Sequence, residues 1–159
     1  MIRTGIGYDV HKLEKGTDLV IGGITIPHKF GSLGHSDGDG LIHAIVDAIL
    51  GAAGLGDIGK YFPSESKEWE NCSSSYFLSA TVKLIRKSGF EIVNIDSTVV
   101  LQKPKLIKYT PSIVNNLSLI MGTESTCISV KATTTDGLGF AGTGKGWSVF
   151  AIATLNQKV

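Results

Sequence analysis

Residues 39–53 carry the tightest constraint on how this chain can fold. Leu41, Ile42, Ile45, Val46, Ile49 and Leu50 recur at helix spacing and make a broad apolar face. Asp39, His43 and Asp47 stand at i, i+4 and i+8, on one polar stripe. The spacing predicts a helix with one apolar face and a polar stripe that shows one imidazole between two acids. Ser36 or Asp37 is the expected cap at its start. Gly51 and Gly54 loosen its end.

The rest of the chain offers strands to cover such a helix. Residues 2–8 read as a first strand. Leu19 to Ile26 holds two short β-branched runs around Gly22-Gly23, a hairpin signal. Residues 27–38 read as a polar loop ending in His35-Ser36-Asp37-Gly38-Asp39. A second helix is expected at about 74–88, stopped by Gly89. Phe90 to Gln102 reads as a long strand. Thr110-Pro111 opens a third helix, with proline expected at its first position. Cys127 to Thr134 alternates apolar Ile128, Val130 and Ala132 with polar neighbours, and Trp147 to Leu155 is the last strand. This order predicts one α+β domain over 1–159: a two-layer sandwich of a mixed four-stranded sheet, helices on one face, plus a small β-hairpin. Alternation puts Trp147, Val149 and Ala151 on one side of the last strand and Ser148, Phe150 and Ile152 on the other. Both sides are largely apolar, so one is expected to meet other subunits.

Composition narrows the function. Hydrophobic residues are 42% and charged residues 18%, which suits a packed core rather than disorder. The net charge is +1, so the basic field that holds nucleic acid is absent. No apolar run approaches the roughly 20 residues that span a membrane. Cys72 and Cys127 form no close pair, and no leader pattern precedes the first strand; a reduced, cytoplasmic setting is expected. The 20 glycines gather at the ends of apolar segments, as where backbone lies close to something.

Four constellations carry chemistry. Asp9 and His11 lie two apart and so share one face of a strand. With His43 they would make a zinc site of two imidazoles and one carboxylate with one position open; the alternative is a strand pair bound to backbone or solvent. His35, Ser36 and the N–H groups of a helix start suit a phosphate, or else form an acid-capped loop. Thr133, Thr134, Thr135 and Asp136, ahead of Gly137-Leu138-Gly139-Phe140, can hold a diphosphate and a hard cation, or are simply a polar strand end. Gly56-Asp57-Ile58-Gly59-Lys60-Tyr61-Phe62-Pro63 is a ligand loop or a surface loop.

Together with Gly51-Ala52-Ala53 and Lys131-Ala132-Thr133-Thr134-Thr135, these segments resemble, in order and over nearly the whole chain, the 2-C-methyl-D-erythritol 2,4-cyclodiphosphate synthase family. The resemblance implies a homotrimer with active sites between subunits and a cytidyl diphosphate substrate, cyclised with release of CMP. It implies Asp9, His11 and His43 as zinc ligands, and His35 and Thr134 as stabilisers of the transition state. It implies substrate contacts at Asp9, His11, His35, Ser36, Asp57, Ile58, Gly59, Phe62, Pro63, Ser64, Glu65 and Ser66. A second set is implied at Leu101, Gln102, Lys103, Pro104, Lys105, Leu106, Ile107, Ala132, Thr133, Thr134 and Phe140. Asp136 stands where the family commonly has a glutamate near a second cation, magnesium or manganese. One departure is expected to matter: Thr143 replaces an arginine and Phe150 a glutamate at one end of the trimer's central cavity. A zinc phosphohydrolase and a non-catalytic trimeric nucleotide-binding module are the rival readings.

Overall fold

The computed structural model describes residues 1–158. Its elements are β1 (Ile2–Lys15), β2 (Leu19–Ile21), β3 (Ile24–Ile26), β4 (Phe30–Leu33), α1 (Gly40–Ala53), α2 (Ile58–Tyr61), α3 (Ser74–Lys87), β5 (Phe90–Val100), α4 (Thr110–Met121), β6 (Ile128–Thr133), α5 (Gly139–Gly142) and β7 (Gly146–Gln157). The main sheet runs β4-β1-β7-β5-β6, and β2-β3 form a separate hairpin. Only the β5–β6 pair is parallel. The sheet is therefore mixed, as expected, but has five strands rather than four. The missed strand is β4, which lies inside the segment read as a loop. Phe30-Gly31-Ser32-Leu33 has no apolar alternation of its own and is held by pairing with the far end of β1. That pairing requires β1 to continue to Lys15, well past residue 8.

Helix α1 lies on β1 and β7 at unusually close range, for a reason legible in β1. A methyl group at Gly5 or Gly7 would land on the backbone of Ala48 or Ala44. Glycine on the strand and alanine on the helix let the two backbones approach. The core-facing row of β7, Trp147, Val149, Ala151, Ala153 and Leu155, is buried beneath α1 with Leu41, Ile45 and Leu50. Burying one such side chain stabilises the fold by about 1.5–3 kcal/mol. Helices α3 and α4 extend this layer over β5 and β6.

The cap of α1 is Asp39, not Ser36 or Asp37. Its Oδ1 accepts from Ile42 N at 3.1 Å and Gly22 N at 3.0 Å, and its Oδ2 accepts from Gly23 N at 2.6 Å. Asp39 is fully buried, so it is not part of a wet stripe. It ties the hairpin turn, where Gly22 and Gly23 both take positive φ, to the helix start. The boundaries of α1, α3 and α4 fall within one residue of expectation, the short α2 and α5 were not expected, and Gly122 ends α4 in the left-handed conformation. No helix among the described residues is long and apolar enough to cross a membrane.

Candidate active site

Odd-numbered residues of β1 face the helices, which turns Asp9 and His11 toward α1. The close seat of α1 then brings His43 over them. Asp9 Oδ2 lies 2.8 Å from His11 Nε2 and 3.2 Å from His43 Nδ1, and the two imidazole nitrogens are 3.3 Å apart. Among the described residues this is the one group of His, Cys, Asp and Glu that could hold a metal ion. Three mutually adjacent donors of these types fit a zinc site with an open position.

The outer contacts orient the rings. His11 Nδ1 donates to the Leu33 carbonyl at 3.1 Å, which leaves Nε2 facing inward. His43 Nε2 meets Ser74 Oγ at 2.9 Å and Ser36 Oγ at 3.2 Å, which leaves Nδ1 inward. Burial pushes the Asp9 carboxyl up, but hydrogen bonds and charge from His11 and His43 win and hold it at about 2. For His11, burial works against the charged ring, and Asp9 overcomes it, so its pKa is raised. Without metal, Asp9 is an anion that stabilises a proton on its neighbour; a cation entering the cluster displaces that proton.

A cavity of about 250 Å³ opens beside this cluster, lined by His11, His35, Ser36, His43, Ile58, Gly59, Phe62, Ser64, Trp69 and Phe77. Asp47 positions one wall: its Oδ1 accepts from Ile58 N at 2.7 Å, holding the 57–59 turn against α1. Asp57 is occupied as the cap of α2, accepting from Lys60 N at 3.0 Å. His35 is exposed, and its Nε2 lies 3.4 Å from the Ser66 carbonyl. The expected anion site at the α1 start is filled by Asp39, so His35 and Ser36 contribute side chains, not a helix N-terminus. Pro63, Glu65 and Ser66 lie along the same loop without lining the cavity.

A second cavity, about 370 Å³, is lined by Leu101, Gln102, Pro104, Lys105, Leu106, Ile107, Ala132, Thr133 and Thr134. Lys103 instead faces a smaller cleft with Thr143, and Phe140 lines neither cavity. Thr134 Oγ1 donates to Asp136 Oδ1 at 3.3 Å, and Asp136 is exposed at φ 52°. Register puts both cavities at one end of the sheet, since His11 pairs with Trp147 while Val100 pairs with Ser148 and Thr133. Three strand intervals separate β1 from β6, roughly 14 Å at normal strand spacing. One chain therefore does not bring the two expected residue sets into one cavity.

Sequence reasoning missed Ser74, Asp37 as its partner, and the aromatic wall. Phe62 stacks on Phe77 with ring centroids 4.6 Å apart, and Trp69 meets Phe62 edge-on at 5.3 Å. The aromatics at 69, 76 and 77 were visible, but nothing in their spacing ties them to residue 62.

The YgbB family model fits residues 2–156. A relative from Clostridium botulinum, named 2-C-methyl-D-erythritol 2,4-cyclodiphosphate synthase, is 50% identical over 155 residues, covering 98% of this chain and all of the relative. The solved IspF of Plasmodium falciparum, in a CDP complex, has TM-score 0.87 and 38% identity, covering 99% of this chain and 97% of that one. The bifunctional IspDF from Campylobacter jejuni has TM-score 0.95 and 39% identity over 99% of this chain, which spans 42% of that longer one. Likeness of this extent in sequence and in backbone means that the chain belongs to the YgbB family.

Proposed function

We propose that this enzyme converts 4-diphosphocytidyl-2-C-methyl-D-erythritol 2-phosphate into 2-C-methyl-D-erythritol 2,4-cyclodiphosphate with release of CMP, in the non-mevalonate route to isoprenoids. The observation that carries the reading is the Asp9–His11–His43 cluster beside a cavity walled by His35 and Ser36. The relative that shares half its residues bears the name of that synthase. A 2-phosphate oxygen attacks the β-phosphorus, the bond to the bridging oxygen breaks, and CMP leaves with that oxygen. The nucleophile is already an anion, so no general base is needed. The task is to hold two anionic groups in line.

Asp9, His11 and His43 would hold zinc, which would supply positive charge at the diphosphate. His35, and Thr134 once its hydroxyl turns from Asp136 to the ligand, donate to the phosphoryl oxygens as charge shifts onto them. Ser36 and the Ile58–Gly59 backbone bind the erythritol phosphate end, and residues 101–107 with Ala132 and Thr133 bind the cytidine. Leu101, Gln102, Ala132 and Thr133 all line the second cavity, which supports this. Asp136 offers an exposed carboxylate for a second cation, magnesium or manganese, which keeps several waters.

The assembly is a homotrimer in which the metal cavity of one subunit faces the nucleotide cavity of the next. The separation of the two cavities supports this, as does the sheet face turned away from the helices. Ile6 is 69% exposed there, Tyr8 48%, Phe150 47% and Ile152 45%. An apolar patch of this kind calls for cover. A cytoplasmic setting suits Cys72 and Cys127, both free thiols. Incubation with the cytidyl substrate, zinc and magnesium should give CMP and the cyclic diphosphate in equal amounts. Inorganic phosphate or an acyclic product would point to a zinc phosphohydrolase instead. CMP binding without turnover would point to a nucleotide-binding module.

A further inference from the structure

The side of His43 away from the metal cluster is more fully built than catalysis alone requires. His43 Nε2 lies 2.9 Å from Ser74 Oγ. Ser74 is fully buried and is the first residue of α3. Its hydroxyl donates to Asp37 Oδ1, and its backbone N–H donates to Asp37 Oδ2 at 2.8 Å. The directions are forced. Asp37 as a carboxylate only accepts, so the Ser74 proton goes to it. The Ser74 oxygen then accepts, and the His43 Nε2–H is the donor that reaches it. When a metal occupies the cluster, Nδ1, the nitrogen facing Asp9 and His11, is then the one that offers its lone pair.

From this we infer that Ser74 and Asp37 are positioning residues for the metal centre: a carboxylate–hydroxyl–imidazole relay that sets the tautomer, angle and basicity of His43. The inference rests on the metal reading given above and adds two residues to it. A hydroxyl placed between carboxylate and imidazole does at one remove what a direct carboxylate–histidine pair does for a metal ligand. The other histidine has no such device, because its outer partner is the Leu33 carbonyl, which no side-chain change removes. The relay has a second consequence. Ser36 Oγ lies 3.2 Å from the same His43 nitrogen, farther than Ser74. With the His43 proton committed to Ser74, the Ser36 hydroxyl keeps its own proton for a ligand in the cavity.

The test measures zinc affinity by chelator competition, with no turnover involved. Ser74→Ala and Asp37→Asn should each weaken zinc binding by about 10- to 100-fold, the usual loss when an outer partner is removed. The double variant should be little worse than either single one, because the two act in series. Ser73→Ala is the structural control. Ser73 caps the same helix, its hydroxyl accepting from Ser75 N at 3.3 Å, but touches neither His43 nor Asp37. It should lower thermal stability and leave zinc affinity unchanged. If Ser74→Ala unfolds, Asp37→Asn carries the test. Zinc affinity within twofold of the parent in a folded variant of either residue would overturn the relay. So would an equal loss in Ser73→Ala, which would mark the effect as mere fraying of α3. A parent that binds no zinc would overturn the metal reading and the relay with it.

Discussion

Asp9 and Asp39 are acids near opposite ends of one small region, and their surroundings push them in opposite directions. Two imidazoles face Asp9 and hold its carboxyl at about 2. Asp39 is pushed up to about 6 by complete burial, which outweighs the N–H groups it accepts from and is reinforced by the Asp37 charge. The first acid belongs to the group that could hold a metal ion, and the second ties backbone together. Each role gives a prediction. His43→Ala removes one of the three proposed ligands while leaving the apolar face of α1 intact. Zinc content should fall to near zero, and CMP release should drop more than about 100-fold, beyond the loss of an outer hydrogen bond. Elemental analysis showing full zinc in an active variant would reject the ligand assignment. Asp39→Ala should instead lower stability by roughly 1–3 kcal/mol, since Gly22, Gly23 and Ile42 N–H groups lose their acceptor. Denaturant unfolding checks this. For Asp136, replacement by asparagine should raise the magnesium needed for half-maximal rate; an unchanged titration would remove it from the site.

At the scale of elements, the seat of α1 on β1 decides whether the site exists. Gly5 and Gly7 carry that contact, and a side chain at either would meet helix backbone rather than a yielding side chain. Gly7→Ala should cost about 1–3 kcal/mol through overpacking. It should also weaken zinc binding, because lifting α1 draws His43 away from Asp9 and His11. A Gly7→Ala protein with parental melting temperature and parental zinc affinity would show that the helix has room to move. Nothing comparable is seen at β6. It is an edge strand with only Ile128 fully buried, so the expected clean alternation fades toward Ala132. Exposure there suits a strand end that serves a ligand.

For the whole molecule, the informative surface is the sheet face opposite the helices. Tyr8 and Phe150 are paired across β1 and β7, with ring centroids 4.9 Å apart, and Ile6 pairs with Ile152. Sedimentation at micromolar concentration should give a trimer, and a monomer would break the proposal of a shared active site. In that trimer the central cavity should not hold isoprenyl diphosphates. The resemblance puts Thr143 where many family members are expected to have arginine, and its hydroxyl already donates to the Gly139 carbonyl at 2.9 Å. A threonine so engaged lacks the charged, two-pronged grip of arginine on a phosphate. Calorimetry with geranyl or farnesyl diphosphate should show weak binding or none; tight binding at one ligand per trimer would refute this.

Much of the architecture was legible from residue patterns alone. The helix over 39–53, the Gly22-Gly23 hairpin, α4 from Thr110 to Met121 and the two-faced last strand all follow from local periodicity and turn chemistry. The Asp9–His11 pair follows too, because strand geometry alone puts i and i+2 on one face. What the sequence could not decide is which face of β1 is the inner one. Its apolar residues Ile2, Ile6, Tyr8 and Val10 point outward, and its glycines point to the core. Hydrophobicity argues for the reverse, and only the need for α1 to lie close overrides it. The same holds for β4, for Asp39 as the cap, and for Ser74 behind His43. Each depends on segments distant in the chain meeting in space. Pairing, burial and hydrogen-bond partners at that range are set by tertiary packing, which local spacing does not encode.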